Sequence, residues 1–197
     1  REIFRHARGY LRTFLSLALF NGLRRTEIMT LTWDRVSLKE RFLVVAKRFN
    51  KKRRSRSIPI NEIVCQVLAE QHEKQVDFGI RSSWVFPNTK DPKRHAHVDG
   101  LKTSWGTCLK RAGLGEEDIT WHDFRATFEK YAHKSTAHTD TQREKFADAS
   151  IEVQKRIYVN MDHEDLRGLE NSVNVPGLPQ IIQDRSLTIG KPEGGEG

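Results

Sequence analysis

Residues 41–60, RFLVVAKRFNKKRRSRSIPI, constrain the fold of this 197-residue chain more than any other stretch. Two segments favour extended backbone: RFLVVAKRF (41–49) is rich in β-branched and aromatic residues, and the shorter RSIPI (56–60) adds two isoleucines. Overlapping both, residues 47–56 place seven Lys or Arg in ten positions. A charge block of this density would be solvating padding in a terminal tail. Between two strands it reads as a basic hairpin displayed by a folded domain. The net charge of +8 has the same sign, so the expected partner is a polyanion, with nucleic acid as the default.

The rest of the pattern is helical. Phe4, Ala7, Leu11, Phe14, Leu15 and Ala18 recur at helical spacing and predict an amphipathic helix over 2–20, stopped by Asn21-Gly22. RRTEIMTLTW starts a short helix. Asn61 is placed to cap the next one, whose apolar face includes Val64, Val67 and Leu68. WVFP (84–87) reads as a short strand or a buried anchor, and 88–97 as a polar loop. VDGLKTSWGTCLKRAG (98–113) is helical and stops at Gly113. Thr120 caps a further helix, with Asp123 three residues on as in a capping box. Helical segments are expected at about 140–147, 150–158 and 163–172, followed from Asn174 by a Pro/Gly-rich tail. That tail is expected to be extended or disordered, apart from a short element at QII or SLTI. The fold class is therefore mainly α with a small antiparallel β-sheet (α+β).

Several classes are disfavoured. No stretch approaches the ~20 apolar residues of a membrane span, and the opening REIFRHARGY has no apolar run of the kind a secretory signal carries. Two cysteines, Cys65 and Cys108, suit neither a disulfide framework nor a zinc cluster and read as buried free thiols. The expected setting is reducing and cytoplasmic.

The chemistry begins with WHDFR, residues 121–125. With Thr120 as cap, His122 and Arg125 fall on one side of the first turns of a helix, where unpaired N–H groups and the dipole favour an anion. A guanidinium binds two phosphate oxygens at once and an imidazole donates to a third. On these residues alone a solvated helix end is an equal reading. Other residues shift the balance. Arg24 sits in GLRRTEI at a turn-to-helix junction, with Glu27 three positions on to orient it. As a mere surface ion pair those two would contribute only roughly a few tenths of a kcal/mol. The hairpin offers Lys51, and IYV offers Tyr158. Together these residues make a kit for phosphodiester transfer. The tyrosine attacks phosphorus, the arginines neutralise the transition state, and the lysine protonates the leaving oxygen. That chemistry calls for no metal and no nucleotide cofactor.

Four segments, in order, make the chain resemble the catalytic domain of the tyrosine recombinase (phage integrase) family. LFNGLRRTEIMTLTWDRV resembles the first arginine box, with Arg24 catalytic and Glu27 its supporting acid. NKKRRSRSIPI resembles the β-hairpin lysine segment and places the lysine at Lys51, with Lys47 and Lys52 as alternatives. HDFRATF resembles the second box, with His122 and Arg125, and ADASIEVQKRIYV the last, ending in the nucleophile Tyr158. The match spans about residues 2–172. The resemblance implies the fold of that catalytic domain over residues 1–173, a tail over 174–197, and a phage-encoded or bacterial, mobile-element setting. It also implies double-stranded DNA as partner and a homo-tetramer on DNA from a protein monomeric without it. An N-terminal helical domain preceding this chain is implied too, so the chain alone is expected to bind DNA weakly and with steep salt dependence. Lys47, Arg48, Lys52, Arg53, Arg54 and Arg56 are expected to touch phosphates without reading sequence.

The pattern departs at one position. The family usually has a histidine about ten residues before the nucleophile, and here Asp148 takes the place. An ionised carboxylate accepts hydrogen bonds and repels a phosphate. Three readings follow: Asp148 is tolerated with slower chemistry, His133, His138 or His163 substitutes, or the chain binds DNA without cutting it. The other five positions are intact, which favours retained activity. A type IB topoisomerase shares the chemistry, but the boxes are more similar to integrases.

Overall fold

A computed structural model describes residues 1–46, 55–89, 97–98, 100–134 and 180–181. Among these the elements run α1 (Glu2–His6), α2 (Gly9–Asn21), α3 (Arg25–Met29), a 3₁₀ turn (Trp33–Arg35), β1 (Val36–Ser37), β2 (Phe42–Val45), β3 (Arg56–Pro59), α4 (Glu62–Asp77), α5 (Lys102–Arg111) and α6 (Trp121–Lys134). The expected class, helical with a small antiparallel sheet, is the class observed. No described helix is long and apolar enough to cross a membrane.

Helix α2 is the centre. Every residue from Leu11 to Asn21 is buried, because α2 packs against both α4 and α6; a helix covered nearly all round belongs inside a core. The single helix expected over 2–20 is broken. Ala7 leaves α1 with ψ 127° and Gly9 has φ +50°, a left-handed conformation that costs glycine nothing in Cβ contact. Hydrophobic spacing continues across the break, which is why the pattern concealed it. The break sets α1 against α5 and Phe4 edge-on to Phe124 of α6 at 6.0 Å.

The hairpin is present, and it is one strand larger than expected. β2 and β3 pair antiparallel with Leu43 opposite Ile58 and Val45 opposite Arg56. Leu43, Val45 and Ile58 are buried, the alternation a half-covered sheet requires. β1 adds a third strand along β2; its two residues are too few to show alternation in sequence. Pro59 is tolerated because β3 lies at the sheet edge, and its carbonyl accepts from Asn21 Nδ2 at 2.8 Å, tying the sheet to the end of α2. Asn61 caps α4 as expected, accepting from the Val64 N–H at 3.0 Å.

The WVFP segment is an anchor. Val85 and Phe86 are fully buried, Trp84 bridges Thr32, and the Val85 carbonyl accepts from the side-chain amides of Gln71 and Gln75 on α4. The helix expected from residue 98 starts only at Lys102. Val98 donates instead to the Phe86 carbonyl at 2.8 Å, an extended pairing that removes it from the helix. Gly113, at φ +71°, follows that helix. Cys108 is a buried thiol as expected, whereas Cys65 is only half-buried. The helical segments expected between 140 and 172 lie outside the described residues, as does most of the tail; Gln180 and Ile181 are helical, and the Ile181 carbonyl accepts from the buried Arg12 guanidinium.

Candidate active site

Helix α6 meets the turn after α2 at two points. Gly22 closes α2 at φ +59°, and a Cβ there would lie 2.4 Å from Phe128 Cδ1. Glycine is therefore required twice, by conformation and by space. In sequence, Asn21-Gly22 is a stop signal and nothing more. One helical turn before Phe128, the Arg125 guanidinium donates to the Gly22 carbonyl. Two residues beyond Gly22 stands Arg24. The two arginine segments, 103 residues apart between Gly22 and Arg125, thus share one junction.

Arg24 precedes α3 in extended conformation (ψ 152°). Its backbone N–H donates to Glu27 Oε2 at 2.9 Å, which is the carboxylate half of a capping box. At five residues α3 is too short for its dipole to contribute much, so the positive charge here is the guanidinium itself. The Arg24 side chain is 29% exposed and that of Glu27 0%, with Arg24 Nη1 at 3.6 Å from Glu27 Oε1. Glu27 lies against Arg24, and it has a second cation. Arg56 Nη2, at the foot of the hairpin, donates to Glu27 Oε2 at 2.9 Å. Arg56, read in sequence among the phosphate-touching residues, has a side chain only 9% exposed.

Helix α6 is fixed from behind by aromatic contacts. Trp121 sits 4.8 Å from Trp105 and 5.2 Å from Phe14, and Phe124 sits 5.9 Å from Trp105. Phe124 and Phe128 lie in the core, and Trp121 packs against it. At the helix start the Asp123 carboxylate accepts from the Thr120 N–H at 2.6 Å and its hydroxyl at 2.9 Å. These bonds, the backbone one foremost, hold the Asp123 carboxyl below its usual range. His122 is exposed on the same turn, and its proximity adds to that depression.

The structure therefore brings Arg24, Glu27, Arg56 and Arg125 around one turn, with His122 exposed one helical turn before Arg125. Lys51, Asp148 and Tyr158 lie outside the described residues, as do Lys47, Arg48, Lys52, Arg53 and Arg54. Of the other tyrosines, Tyr10 is packed edge-on to Phe86 at 5.8 Å, and burial pushes its hydroxyl up to about 12 despite a hydrogen bond with Gln75. Tyr131 is half-buried against the core. Burial likewise pushes the Cys108 thiol up to about 11, which makes it a poor nucleophile. Among the described residues no group of three or more His, Cys, Asp or Glu is placed to hold a metal ion.

The chain belongs to the phage integrase family, the tyrosine recombinases, whose sequence model matches residues 2–164. It is similar to the integrase of Salmonella phage P22, with 28% identity over 149 residues, covering 74% of this chain and 38% of that protein. Its fold is similar to the crystal structure of XerA recombinase, at 16% identity and a TM-score of 0.56, covering 86% of this chain and 61% of that one. It is also similar to XerH site-specific recombinase bound to difH substrate in a pre-cleavage complex, at 16% identity and a TM-score of 0.55, covering 78% of this chain and 44% of that one. The chain thus spans less than two thirds of these relatives' lengths. The small sheet beside a helical core is the fold they share.

Proposed function

We propose that this chain is the catalytic region of a site-specific DNA recombinase that cleaves and rejoins DNA through a 3′-phosphotyrosine. The observation that carries this reading is the Arg125–Gly22 hydrogen bond, which seats the second arginine box on the turn leading into Arg24. Two guanidiniums around one turn suit a non-bridging phosphate oxygen pair. The complex of XerH with its difH substrate supports duplex DNA as the partner.

In this mechanism the Tyr158 oxygen attacks the scissile phosphorus and loses its proton. A P–O bond to the tyrosine forms as the P–O5′ bond breaks. Lys51 gives a proton to the departing 5′ oxygen. Arg24 and Arg125 neutralise the equatorial oxygens, and His122 donates to one of them. The phosphotyrosine keeps the energy of the broken bond, so a 5′ hydroxyl of a partner strand reverses the step without a cofactor. A homo-tetramer on two DNA sites fits such an exchange. Tyr10 is half-buried against Phe86 and its hydroxyl is pushed up to about 12 by burial, which makes it a poorer nucleophile than an unburied tyrosine and favours Tyr158.

The test is covalent trapping. The chain is mixed with nicked duplexes of randomised recognition sequence, so that cleavage releases a short fragment and cannot reverse. Denaturing gels then show an adduct with the wild type and none with Tyr158→Phe or Arg125→Ala. A low-salt mobility shift without any adduct would contradict the reading and make the chain a DNA-binding protein that does not cut. Asp148→His would then be the next variant.

A further inference from the structure

We infer that Arg56 is a positioning residue for Arg24, acting through Glu27; this rests on the phosphodiester-transfer reading above. Glu27 Oε2 accepts from the Arg24 N–H and from Arg56 Nη2, each at 2.9 Å. Glu27 Oε1 faces Arg24 Nη1 at 3.6 Å, within reach of coulombic attraction but beyond a hydrogen bond. One buried carboxylate is thus divided between two guanidiniums, and the division is unequal. Arg56, 9% exposed, has the side-chain hydrogen bond; Arg24, 29% exposed, places its buried Nη1 3.6 Å from the other oxygen.

The asymmetry has a chemical consequence. A buried carboxylate demands a close cationic partner. Arg56 meets that demand from the sheet, so Arg24 is held in direction without being drawn in. Were Arg56 neutral, the carboxylate would draw the Arg24 guanidinium inward to hydrogen-bond distance and away from a phosphate. A displacement of about 1 Å at a group that must meet a transition state costs up to ~10²-fold in rate. Arg56 also stands opposite Val45 where the two hairpin strands meet their basic connection. The same ion pair therefore ties the base of that hairpin to the Arg24 turn. Its burial separates Arg56 from the phosphate-touching set in which its sequence neighbours place it.

The experiment measures two quantities on a nicked duplex carrying a sequence recovered from the trapping pool: adduct rate at saturating DNA, and apparent Kd with its salt dependence. Arg56→Met is expected to slow adduct formation roughly 10- to 100-fold while Kd and its salt slope stay within about twofold. Arg56→Lys, which keeps the charge and loses the fork, is expected to recover part of the rate. The sharpest arm is Glu27→Gln added to Arg56→Met. A neutral amide no longer pulls on Arg24, so the double variant is expected to be faster than Arg56→Met alone. Urea unfolding of both variants separates this suppression from relief of an uncompensated buried carboxylate: a rate gain that only tracks regained stability overturns the inference, and the double variant also covers the case in which Arg56→Met alone fails to fold. An unchanged saturated rate with a salt slope reduced by about one would make Arg56 a phosphate contact and overturn the inference. So would a double variant slower than Arg56→Met. Absence of any wild-type adduct would overturn the recombinase reading and this inference with it, a result distinct from an adduct that ignores Arg56.

Discussion

At Gly22 the candidate site is held by backbone and packing: a left-handed turn, an aromatic ring against it, and a guanidinium hydrogen-bonded to a neutral carbonyl. At Glu27 it is held by charge: one buried carboxylate between Arg24 and Arg56. The first junction fixes where the backbone runs, and a change there is felt as steric misfit. The second fixes where a side-chain head points, and a change there is felt as an uncompensated charge. A phosphate-binding arginine needs both, because its backbone origin and its direction are separate degrees of freedom.

Removing the charged junction is expected to have the largest effect. Glu27→Ala leaves two guanidiniums facing a buried site without their carboxylate and should destabilise the fold by roughly 3–5 kcal/mol in urea unfolding. A loss below about 1 kcal/mol would show that water already screens the pair. Gly22→Ala comes next, at roughly 2–4 kcal/mol, combining positive-φ strain with overpacking against Phe128. Phe128→Leu in the same chain should return part of that loss; full additivity of the two losses would remove the steric account. Asn61→Ala, away from both junctions, should cost about 1 kcal/mol through the lost cap and leave the saturated adduct rate unchanged. A fallen rate would show that the site senses α4 as well.

The smallest effect lies at the start of α6. The Thr120 bonds hold Asp123 below its usual value of 3.8. A carboxylate with a depressed folded pKa contributes stability above its unfolded value, lost as pH falls through the folded one. Acid unfolding below about pH 4 should therefore be shallower for Asp123→Asn than for the wild type, with the curves parallel above pH 5. Divergence at neutral pH instead would mean that another group sets the helix start.

What the sequence made legible follows distance along the chain. Asn61 and Val64, Thr120 and Asp123, and Arg24 and Glu27 lie within four residues of each other, and turn and cap chemistry reads such pairs directly. The hairpin was legible because its strands flank one charge block. The break at Ala7–Gly9 was hidden by continuous hydrophobic spacing, and the late start of α5 by a backbone pairing of Val98 with Phe86. Arg56 and Glu27 are 29 residues apart, and Arg125 and Gly22 103. Nothing local in RSIPI distinguishes an arginine bound to a buried acid from one that faces a phosphate.

In the proposed function, two arginine segments brought to one turn serve an attack by Tyr158. Its most direct test is peptide mapping of the trapped complex by mass spectrometry. A nucleotide remnant on Tyr158 is expected, lost in Arg24→Ala and Arg125→Ala. A remnant on Tyr10 or Tyr131, or one that persists in either arginine variant, would contradict it.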